Sequence, residues 1–297
     1  MKALVISGGG SKGAFAGGVA QHLIEDLGND YDLYVGTSTG SLLLPHLALQ
    51  KIEKLKAIYT GLTNSDVFNI YPFKVNKKAG VYKTRMNHWS NLWMFFRRKT
   101  TFGESKALRE LLRNAFLPEE YERLKSAPKR IVVTVSNLTA QVVEYKHLDD
   151  CSYEDFLDWM WCSANVVPFM SLVKKNGYEY ADGGFGNLVP IHEAINLGAR
   201  ELDVIVLSPR HRSVRLPDSN NPFSALLKTH EFMLQQISRS DIFSAQLEGI
   251  YSDVKIRFFY TPRILTQNPY IFDSEVLTGW WEEGRSFAGT LLGNHHL

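Results

Sequence analysis

Short apolar runs alternate with longer amphipathic stretches over the first 60 residues. Ala3–Ser7 is continuously apolar up to its last residue, which is typical of a strand buried on both faces, and Asp32–Val35 has a similar pattern. Ala14–Leu27 carries apolar residues at four-residue steps, which places them on one helix face. Ser41–Tyr59 is also predicted to be helical, with a break near Pro45. The order strand, helix, strand, helix predicts an α/β fold with a largely parallel sheet.

The remainder of the chain continues this alternation after a less regular segment. Residues 61–130 contain only two short predicted helices, Lys106–Phe116 and Glu119–Ser126. Because the sequence has no repeat and no linker rich in Pro, Gly or Ser, we expect one domain over residues 1–297 with an insertion at about 61–130. Later predicted elements are the strands Ile131–Val135, Gln141–Lys146, Tyr178–Tyr180, Asp203–Leu207 and Lys255–Tyr260, and the helices Tyr153–Ser163, Pro190–Leu197, Asn221–Gly249 and Ser274–Leu292.

Composition narrows the class of protein. The chain has 297 residues, of which 44% are hydrophobic and 22% charged, a balance that excludes a disordered chain, a collagen-like fibre and a coiled coil. Its two cysteines are too few for a disulfide scaffold or a cysteine-based zinc site, so we expect a reduced, cytoplasmic protein. No run approaches the roughly 20 apolar residues of a membrane span. The first apolar run ends in glycines, which indicates a strand rather than a signal peptide.

Charge is concentrated in the insertion. Between Lys74 and Arg130 there are 15 Lys or Arg residues against 5 Asp or Glu, a local excess of +10 in a chain whose net charge is +2. Such an excess indicates either a solvated face or an anionic partner. We expect no nucleic acid to bind, since no nucleic-acid-binding motif is recognisable.

Aromatic residues beside cations in the insertion suit a membrane interface, where rings enter the headgroup layer and cations meet anionic lipid. The alternative is a small core beneath a solvated helical cap. The candidate membrane contacts are Trp89, Trp93, Phe95, Phe96, Arg97, Arg98 and Lys99.

A glycine-rich turn follows the first predicted strand. Gly8, Gly9, Gly10, Ser11, Lys12 and Gly13 match the pattern G-x-G-x-x-G. A dinucleotide site would need an acidic residue at the end of the second strand, but Asp32 stands at its start. A phosphate-binding loop would need Lys and then Ser or Thr after the last glycine, where Ala14 and Phe15 stand. The remaining possibilities are a structural turn and a cradle of backbone N–H groups for an anion such as an oxyanion.

A second motif follows the second strand. Gly36-Thr37-Ser38-Thr39-Gly40 matches G-x-S-x-G between a predicted strand and a predicted helix, the context of a nucleophile elbow. A serine nucleophile needs a base. His192, His211 and His230 lie downstream, but none sits in a small-residue turn just after a strand.

Asp182, unlike those histidines, sits in a small-residue turn just after a predicted strand. It follows a predicted strand and precedes Gly183 and Gly184, which leave its carboxylate unobstructed. A structural Asx turn is the alternative for this aspartate.

These three blocks, in this order, resemble the signature blocks of the patatin-like phospholipases. The segment from Cys162 to Phe169 is similar to the stretch that precedes the aspartate in that family, and Asn187–Pro190 to the stretch that follows it. The resemblance covers roughly residues 1–60 and 130–210, not the basic insertion. Lys12 departs from the arginine that the family often carries.

The resemblance implies a three-layer α/β/α domain with a central, mostly parallel sheet, and a catalytic dyad of Ser38 and Asp182. It also implies an oxyanion hole formed by the glycine turn, mainly around Gly9, Gly10 and Ser11. The implied activity is hydrolysis of fatty acyl esters in phospholipids, lysophospholipids or other acyl lipids, with no cofactor and no metal. Two alternatives stay open: a Ser-His-Asp esterase on an α/β-hydrolase fold, and a non-catalytic lipid- or nucleotide-binding module.

Overall fold

The computed structural model describes the chain except residues 79–80, 88–93, 95, 212–217, 220–221 and 294–297. Its strands are β1 (Lys2–Ile6), β2 (Leu33–Thr37), β3 (Phe73–Lys78), β4 (Val81–Met86), β5 (Arg130–Asn137), β6 (Val142–His147), β7 (Val173–Lys175), β8 (Tyr178–Asp182), β9 (Glu201–Val206) and β10 (Lys255–Tyr260). Its α-helices are α1 (Gly13–Gln21), α2 (Thr39–Ala48), α3 (Ile52–Thr60), α4 (Asn64–Val67), α5 (Lys106–Ala115), α6 (Pro118–Lys125), α7 (Tyr153–Ser163), α8 (Ile191–Asn196), α9 (Pro222–Ser252) and α10 (Ser274–Gly293).

One large sheet forms the centre of the described structure. Its strand order is β10-β9-β1-β2-β5-β8-β7, and β6 also pairs with β5. Strands β10, β9, β1, β2 and β5 are parallel, whereas β6, β8 and β7 join through antiparallel pairings. The carboxyl ends of β1 and β2 therefore lie side by side, and this edge carries both glycine motifs.

Helices cover both faces of this sheet. In β1, Leu4 and Ile6 belong to a core that includes α1, α2 and α10, whereas Ala3 and Val5 belong to a second core beneath α8. Because both faces are covered, β1 and β2 are apolar at nearly every position. The predicted three-layer architecture with a mostly parallel central sheet is confirmed.

The chain departs from the predicted elements at three places. The helix predicted over Ser41–Tyr59 is two helices, and they separate at Leu49–Lys51 rather than near Pro45, which lies inside α2. Gln50 adopts φ 56°, and this left-handed residue ends α2. The insertion contains a β3–β4 hairpin, and strand β7 precedes β8; neither was predicted. No helix within the described ranges is both long enough and apolar enough to cross a membrane.

Candidate active site

Ser38 occupies a strained turn between β2 and α2. Its backbone has φ 54° and ψ −126°, a left-handed conformation that costs on the order of 1–3 kcal/mol in a non-glycine residue. A Cβ on Gly36 would lie 2.7 Å from the Gly40 carbonyl carbon, and one on Gly40 would lie 2.3 Å from the Ile6 oxygen. Both flanking glycines are therefore required for the close approach of strand and helix, as the sequence pattern predicts.

Hydrogen bonds hold the Ser38 backbone on both sides. Its N–H donates to Ser163 Oγ at 2.9 Å, and its carbonyl accepts from Ser41 Oγ at 2.6 Å. Ser163 Oγ in turn donates to the Thr134 carbonyl of β5 at 2.7 Å. The sequence pattern did not single out Ser163 for this contact, since its Oγ reaches Ser38 only once α7 packs beneath the sheet.

The sheet brings Asp182 to the same place. Strand β5 pairs with β2 on one side and with β8 on the other, so the ends of β2 and β8 lie close together. Asp182 ends β8, and its Oδ1 accepts the Gly184 N–H at 2.7 Å. A Cβ on Gly183 would lie 2.3 Å from the Thr134 oxygen, which explains the first of the two glycines.

Asp182 is buried and is a stronger base than an ordinary carboxylate. Burial raises the pKa of Asp182 to about 7, while the Ser38 hydroxyl and the Gly184 N–H act in the opposite direction. Its Oδ2 makes no hydrogen bond of ordinary geometry to any residue that the structure describes. The Ser38 hydroxyl lies close enough to the Asp182 carboxyl to lower its pKa through a hydrogen bond.

Most N–H groups of the glycine turn are already used. Gly8 N donates to the Leu188 oxygen at 3.1 Å, and Ser11 N donates to the Pro269 oxygen at 2.9 Å. Lys12 N donates to the Gly9 oxygen at 3.3 Å. Gly13 N donates to the Gly10 and Ser11 oxygens.

Two donors of the turn remain. Within the described chain, the N–H groups of Gly9 and Gly10 have no backbone or side-chain acceptor. The carbonyl of Gly8 accepts from Ser7 Oγ at 3.2 Å, and that of Gly9 accepts from Lys12 N. In a trans peptide the N–H points opposite to the C=O. The Gly9 N–H therefore points away from Ser7 Oγ, and the Gly10 N–H points away from Lys12 N.

The glycine turn packs directly against the turn that carries Ser38. A Cβ on Gly8 would lie 3.1 Å from Ser38 Cβ. Gly10 has φ +60°, and a Cβ there would lie 2.4 Å from the Pro269 oxygen. The Lys12 ammonium donates to the Leu207 oxygen at 2.6 Å, where it fastens the turn to the end of β9.

A cavity of about 1270 Å³ joins Ser38, Asp182 and the glycine turn. Ligand pockets are typically of the order of 300–1000 Å³, so this one can accept a long substrate. Its walls are mostly apolar. The insertion supplies six of the lining residues, which are Leu62, Val67, Phe68, Tyr82, Arg85 and Leu108.

The three candidate histidines take different positions. His192 is exposed on α8, with Nδ1 2.5 Å from Glu248 Oε2, and His211 is exposed on a loop. His230 lines the cavity on α9, between the rings of Phe169 and Phe185 at 6.0 and 5.5 Å. Burial lowers the pKa of His230. In the described structure, none of the three hydrogen-bonds to Ser38 or Asp182.

The candidate membrane contacts are partly outside the described residues, since Trp89, Trp93 and Phe95 lie there. Phe96 is 74% exposed, and Arg97, Arg98 and Lys99 are exposed next to it. Met94 is buried. The described part of this segment therefore presents one ring and three cations to solvent.

Comparison with known proteins agrees with this geometry. The family model "Patatin-like phospholipase" matches residues 4–195. The crystal structure of VipD from Legionella pneumophila superimposes with a TM-score of 0.56, covering 99% of this chain and 67% of that chain at 14% sequence identity, and so supports the fold alone. No curated protein matches the chain in sequence.

Proposed function

Because the chain belongs to the patatin-like phospholipase family, we propose that it cleaves fatty acyl esters through Ser38 and Asp182, as a phospholipase A or lysophospholipase. Membership of the family makes it a lipid acyl hydrolase; the dyad and the type of phospholipase are our proposal. One observation carries it: Ser38, Asp182, Gly9 and Gly10 line one large, mostly apolar cavity, and the N–H groups of Gly9 and Gly10 have no acceptor within the described chain.

In the proposed first step, Ser38 Oγ attacks the acyl carbonyl carbon and passes its proton to Asp182. A free aspartate, with a pKa near 3.9, is a weak base for a hydroxyl. Burial raises the pKa of Asp182 to about 7, which brings the carboxylate into the range that general bases need at neutral pH. The N–H groups of Gly9 and Gly10 stabilise the oxyanion, whereas Ser11, included in the sequence-based prediction, has its N–H bound to Pro269.

The intermediate then collapses and Asp182 returns the proton to the departing alcohol. This leaves the acyl group on Ser38 Oγ. Asp182 next takes a proton from a water molecule that attacks the acyl carbonyl, and the fatty acid leaves as Ser38 regains its proton. The same carboxyl therefore acts as base and acid in both halves of the reaction.

The cavity supports an acyl lipid as the substrate. Its apolar residues match a hydrocarbon chain, while Arg85 and Lys228 on the lining match the phosphate of a phospholipid. A single domain over 1–297 and a cytoplasmic location stay predictions. Peripheral membrane contact also stays a prediction, through Trp89, Trp93, Phe95, Phe96, Arg97, Arg98 and Lys99.

The described structure offers less support for the two alternatives, a Ser-His-Asp esterase and a non-catalytic binding module. A Ser-His-Asp arrangement would need an imidazole between Ser38 and Asp182, yet Oδ2 of Asp182 meets no described hydrogen-bond donor of ordinary geometry. A pure binding module would have no use for a strained serine beside a carboxyl whose pKa is near 7.

Release of fatty acid from a mixed-acyl phosphatidylcholine and from its lysophospholipid tests this proposal. We expect the wild-type protein to release fatty acid and Ser38→Ala to lose at least about 10⁴-fold in rate. Hydrolysis that survives Ser38→Ala would overturn the assignment of the nucleophile. The acyl position that is released separates phospholipase A types.

A further inference from the structure

The glycine turn and the nucleophile elbow are joined by a buried hydroxyl pair that the mechanism above does not use. Tyr59 on α3 is 5% exposed, and its hydroxyl donates to the Gly10 carbonyl at 2.9 Å. The same hydroxyl lies 2.5 Å from Thr39 Oγ1. Thr39 is the residue directly after Ser38.

The direction of these bonds follows from the single proton of a phenol. Since the Tyr59 O–H donates to Gly10, its oxygen must accept from the Thr39 hydroxyl. Burial raises the pKa of Tyr59 far above its usual range, so the phenol keeps its proton. The result is a chain of donors that runs from Thr39 through Tyr59 to the Gly10 carbonyl.

Tyr59 and Pro269 hold the peptide group between Gly10 and Ser11 from two sides. The Gly10 oxygen is held by Tyr59, and the Ser11 N–H is held by the Pro269 oxygen. Gly10 itself has φ +60° and no side chain to restrict it. Without the Tyr59 contact, rotation about Gly10 would redirect the Gly10 N–H group, which is one of the two proposed oxyanion donors.

The last glycine of the motif is explained by the same pair. The Gly13 N–H is already bonded, so Gly13 supplies no oxyanion donor. A Cβ on Gly13 would lie 2.2 Å from the Tyr59 hydroxyl and 2.3 Å from Thr39 Oγ1. Gly13 thus leaves the space in which the two hydroxyls meet.

We propose that Tyr59 is a positioning residue that fixes the N–H donors of the glycine turn relative to Ser38, through its hydrogen bonds to the Gly10 carbonyl and Thr39. The inference rests on the proposed function. Tyr59 and Thr39 both line the cavity, and the Tyr59 hydroxyl acts on the turn through its hydrogen bonds to the Gly10 carbonyl and to Thr39. Its removal should therefore weaken transition-state stabilisation and leave ground-state binding of the lipid unchanged.

Steady-state hydrolysis of a nitrophenyl ester by Tyr59→Phe tests this role. A misplacement of about 1 Å can cost roughly 100-fold in rate, so we expect kcat to fall about 10- to 100-fold while KM stays within about twofold. Tyr153→Phe is the matched control, since Tyr153 donates to the Phe116 carbonyl at 2.7 Å away from the cavity. It should keep the wild-type kcat.

Thr39 variants test the other end of the pair and guard against a folding defect. Thr39→Val should reproduce the loss of kcat, Thr39→Ser should restore it, and Tyr59→Phe combined with Thr39→Val should be no worse than either alone. Thermal unfolding of all variants identifies any that fail to fold. If Tyr59→Phe fails to fold, the kcat of Thr39→Val tests the proposal in its place.

The outcomes separate this inference from the proposed function. A wild-type kcat in Tyr59→Phe, or a raised KM with kcat unchanged, overturns the positioning role. If Ser38→Ala is inactive in the same assay, the proposed roles of Ser38 and Asp182 still stand. Activity that survives Ser38→Ala overturns the proposed function, and the role of Tyr59 falls with it.

Discussion

The backbone N–H of Ser38 donates a 2.9 Å hydrogen bond to Oγ of Ser163, which lies 125 residues later in the chain. Ser163 Oγ donates its own proton to the Thr134 carbonyl, so a single hydroxyl connects the strained turn to the central strand β5. A conformation as unfavourable as φ 54° persists only where its surroundings enforce it. We regard Ser163 as the residue that holds the Ser38 N–H in place, while Ser41 holds the carbonyl on the other side.

Ser163→Ala should lower both stability and turnover. It removes the acceptor of a buried N–H, which costs about 1–3 kcal/mol of unfolding free energy. We also expect kcat to fall more than tenfold, because the Ser38 turn can relax once its N–H is free. Chemical denaturation and ester hydrolysis measure the two effects.

Ser171→Ala provides a matched control for Ser163→Ala. Ser171 Oγ accepts the Ser105 N–H at 2.9 Å, so its loss also leaves a buried N–H without an acceptor. We expect a similar loss of stability and the wild-type kcat. Equal turnover in the two variants would show that Ser163 contributes only to folding.

The pH dependence of hydrolysis should report the ionisation of Asp182. Only the carboxylate can accept the Ser38 proton, and burial raises the pKa of Asp182 to about 7. The value of kcat/KM should therefore be constant well above pH 7 and fall about tenfold per pH unit below it. A pH–rate profile that bends near pH 4 would mean that the base is an ordinary, solvated carboxylate.

Asp241 is the control for this profile. It is a half-buried carboxylate that accepts the N–H groups of Leu188 and Val189, and its partial burial raises its pKa to about 6. Asp241→Asn should keep the bend near pH 7. If the bend near pH 7 disappears in Asp241→Asn, the bend reports the ionisation of Asp241 and not that of Asp182.

Gly10→Ala should disable the glycine turn. Gly10 has φ +60° and a Cβ would lie 2.4 Å from the Pro269 oxygen, so the turn must shift. Loss of one oxyanion donor typically lowers kcat by about 10²- to 10³-fold. Gly177→Ala is the control, because Gly177 has φ +82° with no described atom near its Cβ position. Gly177→Ala should lose stability and keep the wild-type kcat. Normal turnover in Gly10→Ala would show that the glycine turn has only a structural role.

Binding to anionic vesicles tests the proposed membrane contact. The triple variant Arg97→Glu, Arg98→Glu, Lys99→Glu should bind about 100-fold more weakly than wild type, since each cation near such a surface contributes about 1 kcal/mol. Wild-type binding should also weaken as salt rises. Sedimentation with vesicles measures both, and short-ester hydrolysis should be unchanged.

A variant with the same change of charge at other exposed cations is the control. Lys174→Glu, Arg239→Glu, Lys255→Glu alters three exposed positions outside the insertion. It should bind vesicles nearly as wild type does. If both triple variants lose binding equally, attraction depends on net charge and not on residues 96–99.

The sheet, its flanking helices and the turns that carry Ser38 and Asp182 were predictable because each depends on local signals. Continuous apolar runs identified β1 and β9, and glycines beside Ser38 and Asp182 marked tight turns. The short strand β7 escaped prediction because its sequence, one valine followed by two lysines, shows neither an apolar run nor an alternation.

Contacts between distant segments could not be predicted. Ser163 and Tyr59 belong to helices whose sequences show ordinary apolar faces, and their hydroxyls acquire partners only after packing. The free donors at Gly9 and Gly10 likewise depend on Leu188 and Pro269, which occupy the neighbouring N–H groups. The sequence offered the insertion either a membrane contact or a small core of its own, and it did not indicate that six of its described residues line the cavity.

Fatty acid release by Asp182→Asn and His230→Gln, measured side by side at about pH 8, tests the dyad most directly. Asp182→Asn should be folded, because an amide in this buried position avoids the cost of ionisation, and it should lose at least about 10³-fold in kcat/KM. His230→Gln should show a far smaller loss. An inactive His230→Gln beside an active Asp182→Asn would contradict the account and identify the histidine as the base.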